Sequence, residues 1–217
     1  SFFMNHPKAF KVLVVGADRT YKSSLCKILS TQSLPGNYIH TVGINIYRST
    51  AYNRSVIYWD IPYAEFKLGR NLSLIKERAD GVIVMINRDV ESSIDAARDW
   101  VKYFAMENVQ ILLVNDKDDA ELIEICKDIT EQFQKDNNIK TCTMAISKKK
   151  GVFESINAFI DRIKRNTSEI TLSQTMETQE DSACASLKPS PSPRFSTFSP
   201  ASFVNPSVPS LSVEYLE

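Results

Sequence analysis

The 217-residue chain has no excess of either charge: 26 lysines and arginines face 26 aspartates and glutamates. Such a balance gives no electrostatic case for a nucleic-acid partner or for adsorption to a membrane surface. Cysteine is scarce. Cys26, Cys126, Cys142 and Cys184 are separated by 100, 16 and 42 positions, and none forms a CxxC pair or a zinc-ligand spacing. That excludes a disulfide framework of the secreted kind and points to reduced thiols in a cytoplasmic setting. Long apolar runs are missing too. Val82–Ile86 is strand-length, far below the roughly 20 residues of a membrane span. The two histidines, His6 and His40, are isolated and support neither a metal site nor acid–base catalysis. The chain begins at Ser1 rather than Met, as expected of a processed end or a fusion scar.

A hydrophobic content of 43% over this length is enough for one well-packed domain with residues to spare. Composition changes near Asn166. Residues 167–217 hold 12 Ser, 5 Thr and 6 Pro, too little apolar surface to offset ordering entropy. We expect a domain over residues 8–166 and a disordered tail over 167–217. The tail is either passive or, at Ser190-Pro191, Ser192-Pro193 and Ser199-Pro200, open to proline-directed phosphorylation.

Strand-like and helical patterns alternate through the first region. Phe10–Val15, Gly81–Asn87 and Gln110–Asn115 are short buried-type runs, and Lys140–Ala145 is a further strand. Ile44–Ser49 and Ser55–Asp60 alternate as neighbouring strands joined by a turn at Tyr52-Asn53. Helical spacing marks Lys22–Ser30, the stretch from Ile94 to Phe104, Ala120–Gln134 and Val152–Ile163. The fold class is α/β: a six-stranded, mostly parallel sheet flanked by about five helices, with only the second and third strands antiparallel. Ligands of such sheets bind beyond the carboxyl ends of the strands.

At the first of these ends the sequence reads Gly16-Ala17-Asp18-Arg19-Thr20-Tyr21-Lys22-Ser23. A phosphate-binding loop needs GxxxxGK[ST] between a strand and a helix, because its amides cradle phosphate, its lysine reaches the β and γ phosphates and its hydroxyl meets Mg²⁺. Gly16, Lys22 and Ser23 fit, and Tyr21 replaces the second glycine. On these residues alone the motif is weak evidence, and a Lys-Ser pair opening an ordinary surface helix is the favoured alternative.

The other strand ends carry a resemblance. Thr41-Val42-Gly43-Ile44-Asn45-Ile46, preceded by Tyr38-Ile39-His40, resembles the Rab segment TIGVDF. Trp59-Asp60-Ile61-Pro62-Tyr63-Ala64-Glu65 resembles WDTAGQE, and Ala79-Asp80-Gly81-Val82-Ile83-Val84 resembles ADGVIVV. Asn115-Asp116-Lys117-Asp118 resembles NKxD, and Ile146-Ser147-Lys148 resembles SAK. All stand in family order, over about residues 8–165, and the chain resembles the Ras superfamily of small GTPases in its Rab branch. The resemblance implies GTP or GDP with Mg²⁺ as cofactor. Gly16, Lys22 and Ser23 would meet phosphate, while Asn115, Asp118, Ser147 and Lys148 would meet guanine. Ser23, Thr41 and, indirectly, Asp60 would hold the metal. A charge-assisted bond from guanine to Asp118 is worth roughly 1.5–3 kcal/mol and selects the base.

Several positions depart from the family. The switch II glycine and glutamine are Tyr63 and Ala64, and alanine cannot orient a water, so no catalytic residue is assigned. Pro62 stiffens that segment. Asp18 puts a carboxylate where small residues are usual, and Arg19 beside it reads as solvent-facing. Asp116 replaces a lysine, and Leu34 stands where an aromatic often covers the base. With its last cysteine at Cys184, the sequence shows no prenylation signal, so no direct lipid anchor is expected and membrane recruitment would run through a partner. Lys148–Lys150 and Arg162–Arg165 read as solvated faces, and Trp59 and Trp100 as core or sheet-edge aromatics. The leading reading is a protein-interaction module whose switch surface meets an effector or complex subunit. The alternatives are a nucleotide-free pseudo-GTPase scaffold and a slow GTPase with a remodelled site. Vesicle traffic, cilia and the cytoskeleton all stay open as settings.

Overall fold

The computed structural model describes residues 9–33, 41–49, 55–107, 109–115, 119–133 and 138–185. It divides into two compact units, Ser1–Thr175 and Met176–Glu217. The sheet lies in the first. Its strands are β1 (Phe10–Gly16), β2 (Asn45–Ser49), β3 (Val56–Asp60), β4 (Gly81–Ile86), β5 (Gln110–Asn115) and β6 (Ile139–Thr143). Their spatial order is β2-β3-β1-β4-β5-β6. Only β2 and β3 pair antiparallel; β1 pairs parallel with β3 and β4, and β5 parallel with β4 and β6. This is the expected sheet. The Tyr52-Asn53 turn lies outside the described residues.

Alternation along each strand sends side chains to two cores. Leu13 and Val15 of β1 join Val82, Val84 and Ile86 on one face, under α4 (Ser93–Phe104) and α5 (Ala120–Phe133). Val12 and Val14 join Ile83 and Met85 on the other, under α1 (Lys22–Thr31) and α6 (Val152–Ala185). Each fully buried large aliphatic contributes roughly 1.5–3 kcal/mol. Gly81 lets α6 approach: a Cβ there would stand 2.5 Å from Ile163 Cδ1 and 2.9 Å from Phe159 Cζ.

Three features differ from the sequence-based expectation. Between β3 and β4 the chain forms two short helices, α2 (Tyr63–Lys67) and α3 (Leu72–Lys76), making six α-helices among the described residues. They were invisible to periodicity because five residues are too few to show it. The last helix does not stop near Asn166 but continues to Ala185, so residues 167–185 are helical where an irregular tail was expected. All six tail prolines lie at position 189 or later, and 167–185 contains neither proline nor glycine. A helix already nucleated by packing at Val152–Ile163 can therefore propagate through it. Residues 186–217, with the three Ser-Pro pairs, lie outside the described residues. Finally, Arg162 is not a solvated charge. Its guanidinium donates to Gln110 Oε1 at 2.6 Å and to the Asn138 carbonyl at 3.2 Å, and burial draws its pKa down. Trp100 is fully buried in the core.

Candidate functional site

The parallel strands set the site by their register. Gly16 ends β1 beside Met85 of β4, Ile86 pairs with Asn115, and Asn115 pairs with Thr143. The loop after β1 and the turn after β6 therefore open on one edge of the sheet. Gly16 must lack a side chain: a Cβ would stand 2.5 Å from the Met85 carbonyl oxygen, and its φ is +139°.

The loop from Gly16 to Tyr21 turns through left-handed backbone. Arg19 has φ 60° and Tyr21 φ 64°, a region that favours glycine. Each such non-glycine residue costs roughly 1–2 kcal/mol, so the surrounding structure must hold them. Asn87, at the carboxyl end of β4, donates from Nδ2 to the Arg19 carbonyl at 3.1 Å, while its Oδ1 accepts the Asp89 amide. Thr20 Oγ1 donates to the Ala17 carbonyl at 2.8 Å. Tyr21 thus replaces the motif glycine without straightening the loop. Its own side chain is exposed, as are those of Asp18 and Arg19.

Lys22, first residue of α1, is buried and folds back into this loop. Its Nζ donates to the carbonyls of Gly16 at 3.2 Å and Ala17 at 2.6 Å. Beside it, Ser23 Oγ donates to Asp60 Oδ2 at 2.5 Å and lies 2.8 Å from Thr41 Oγ1. Asp60 is fully buried at the end of β3, and its Oδ1 has no hydrogen-bond partner among the described residues. Burial pushes the Asp60 carboxyl above the ordinary carboxylate range, against the Ser23 hydrogen bond and the Lys22 charge. Burial likewise draws the Lys22 ammonium down, against Asp60 and Asp18. Desolvation outweighs mutual attraction for both partners, so this pair is under-compensated until further charges arrive.

The donor set fits a hard cation. An octahedral Mg²⁺ with oxygens at about 2.0–2.1 Å places neighbouring ligand oxygens about 2.9 Å apart. The Ser23–Thr41 hydrogen bond, at 2.8 Å, already holds the two oxygens near that spacing. The Ser23 proton is engaged by Asp60, so Thr41 Oγ1 donates to Ser23 and one Ser23 lone pair stays open to a cation. The adjoining cleft, between Asp18, Tyr21, Ser24 and Pro62, is narrow at about 30 Å³.

Of the residues expected to meet the base, Asn115 is buried and donates from Nδ2 to Thr143 Oγ1 at 2.9 Å. That bond ties the ends of β5 and β6. Ser147 and Lys148 are exposed in a 3₁₀ turn, Ile146–Lys148, on the same edge. Asp118, Asp116 and Leu34 lie outside the described residues. Sequence reasoning missed Asn87 and Thr143, although both stand at carboxyl strand ends where supporting groups belong.

The comparisons with known proteins agree with this geometry. The Ras family model matches residues 11–165. The chain is a member of the Ras family. Within that family it is similar to Ras-related protein Rab-3A from Homo sapiens, 30% identical over 125 residues, which is 54% of this chain and 56% of that protein. Rab-3A from Macaca fascicularis gives the same figures. The chain thus spans about half the length of the curated relatives it matches. Within this Ras-family domain, Ser23, Thr41 and Asp60 are joined by hydrogen bonds beside the first strand end, while Tyr63 is a core residue. Among the described residues no helix is long and apolar enough to cross a membrane.

Proposed function

We propose that this Ras-family domain binds a guanine nucleotide with Mg²⁺, hydrolyses GTP very slowly or not at all, and serves as a protein-interaction module through its switch surface. The observation that carries the reading is the convergence of Ser23 Oγ on Thr41 Oγ1 at 2.8 Å and on Asp60 Oδ2 at 2.5 Å. Three segments far apart in sequence bring hydroxyls and a buried carboxylate to metal-ligand spacing. Ser23 and Thr41 would hold Mg²⁺ directly, with Asp60 orienting Ser23. Bound nucleotide would supply phosphate charge to Lys22, and Asn115, Asp118, Ser147 and Lys148 would frame the base.

The hydrolytic defect follows from the segment after β3. Ala64 is exposed and has no group to orient a water. Pro62 lines the cleft without an amide hydrogen to offer phosphate. Asp18 on the same wall sets a carboxylate against an anionic ligand. Without efficient turnover, nucleotide would act as a long-lived ligand that stabilises the fold by mass action. We extend this to a cytoplasmic module recruited to membranes by a partner, in intracellular trafficking or a related process.

A second reading is a nucleotide-free scaffold subunit, favoured by Tyr21 and the narrow cleft beside it. Denaturing the purified full chain and separating released nucleotide by anion exchange distinguishes the readings. Stoichiometric GTP supports binding without turnover, whereas stoichiometric GDP refutes the hydrolytic defect. Absence of nucleotide, with no thermal stabilisation by added GTP and Mg²⁺, transfers support to the scaffold.

A further inference from the structure

A segment that reports on bound nucleotide has to be loosely held, ordered by phosphate and metal contacts and released without them. The segment after β3 is tied down by contacts that involve no phosphate. Tyr63, at the family's glycine position, is only 8% exposed and belongs to the core under α4. Its hydroxyl donates to Asp99 Oδ2 of α4 at 3.0 Å. Its ring stacks on Phe66, with centroids 6.0 Å apart and planes 10° apart. Phe66 in turn packs on Trp100 at 4.5 Å and meets the edge of Tyr103 at 5.8 Å, both from α4. Lys67 Nζ stands 4.9 Å above the Tyr63 ring. The turn behind is closed by the buried Glu65 carboxylate, which accepts from Arg70 at 3.1 Å and Asn71 at 3.0 Å.

We propose that Tyr63 latches α2 onto α4, so that the face this segment presents to partners stays the same whether the cleft holds GDP, GTP or nothing. Glycine at this position would leave the backbone free to swing. Tyrosine exchanges that freedom for a buried ring and a hydrogen bond to the neighbouring helix. The domain's regulation then lies in whether the fold and the Thr41 segment are stabilised by ligand, and not in reshaping α2. This inference rests on the nucleotide reading above for its three states, while the latch itself rests on α2–α4 contacts alone.

Hydrogen exchange of the full chain, read on peptides covering residues 61–72, tests it. Samples are stripped with EDTA, loaded with GDP and Mg²⁺, or loaded with a non-hydrolysable GTP analogue and Mg²⁺, and occupancy is counted on the same samples. Protection over residues 63–68 should agree within about twofold across the three states. It should fall about a hundredfold in Tyr63→Gly and about tenfold in Asp99→Ala, since local opening frees this segment without global unfolding. Asp99 is an exposed position, so its variant keeps the test alive if the glycine variant does not fold. A difference above tenfold between GDP and analogue states overturns the proposal, as does wild-type exchange at the rate of open chain. If no sample retains nucleotide, the nucleotide reading fails separately. The variants then decide the latch: lost protection supports it, and unchanged protection in both overturns it.

Discussion

Replacing Asp60 by Asn separates the cost of the proposed metal site from its use. In the metal-free protein Asp60 is a fully buried carboxylate with one oxygen bonded to Ser23 and the other without a partner among the described residues. A buried polar atom left unsatisfied costs about 1–3 kcal/mol, and more when charged. Asparagine keeps the shape and, through Oδ1, the acceptor for Ser23, but carries no charge to desolvate. Part of the gain is lost because Lys22, itself buried, forfeits an opposite charge. We therefore expect metal-free Asp60→Asn to be more stable than wild type by about 1 kcal/mol, or about 2–4 °C in a domain of this size. Mg²⁺ and GTP reverse the order. A ligand at a hundred times its dissociation constant adds about 2.7 kcal/mol to wild type, and Asp60→Asn should receive little of it. Thermal melts of both proteins, with excess EDTA and with GTP and Mg²⁺, read both effects. Asp60→Asn melting below wild type in EDTA, or gaining the full wild-type increment from Mg²⁺, would refute the reasoning.

The pH dependence has the same origin. The folded-state pKa of Asp60 is raised by burial, so its contribution to metal-free stability is fully present below the ordinary carboxylate range and is lost as pH rises through the raised value. Mg²⁺-dependent stabilisation should run the opposite way and weaken on acidification through the same window, measurable by melts across pH with and without Mg²⁺. Tyr21→Gly relieves a left-handed backbone residue while losing only an exposed side chain. Stability should stay within about 1 kcal/mol of wild type, because glycine's extra unfolded entropy offsets the relief. Nucleotide affinity by fluorescent-analogue titration should rise about tenfold, and a fall in affinity would count against the loop reading. Gly16→Ala sets a Cβ 2.5 Å from a backbone carbonyl at φ +139°, and urea unfolding should show a loss of at least about 2–4 kcal/mol. Ala64→Gln should raise single-turnover GTP hydrolysis by about tenfold or more; an unchanged rate would place the defect elsewhere, at Asp18 or the docked α2.

The sheet could be read from sequence because its central strands β1, β4 and β5 are buried on both faces and nearly uniformly apolar, with helices at regular period between them. Phe10–Val15 and Gln110–Asn115 were placed within a residue for that reason, and α1, α4 and α5 within a few. The residues proposed to hold the metal were legible only through family order: Thr41 and Asp60 lie 18 and 37 positions from Ser23, and nothing in their spacing brings them together. What composition misjudged was 167–185, where serine and threonine counted as tail although the breaking prolines begin only at 189. Tertiary structure alone decided how the family's lost glycines are replaced. A sequence shows tyrosine at positions 21 and 63, where the family has glycine, and says nothing of where either ring goes. In the fold, Tyr21 holds a left-handed backbone with its side chain in solvent, because Asn87 clamps the loop from a strand end and Thr20 ties it from within. Tyr63 turns away from the cleft because Phe66, itself packed on Trp100 of α4, offers its ring a stacking surface and Asp99 accepts its hydroxyl. Which way a side chain points depends on what packs beside it, and Asp99 lies 36 positions along the chain from Tyr63.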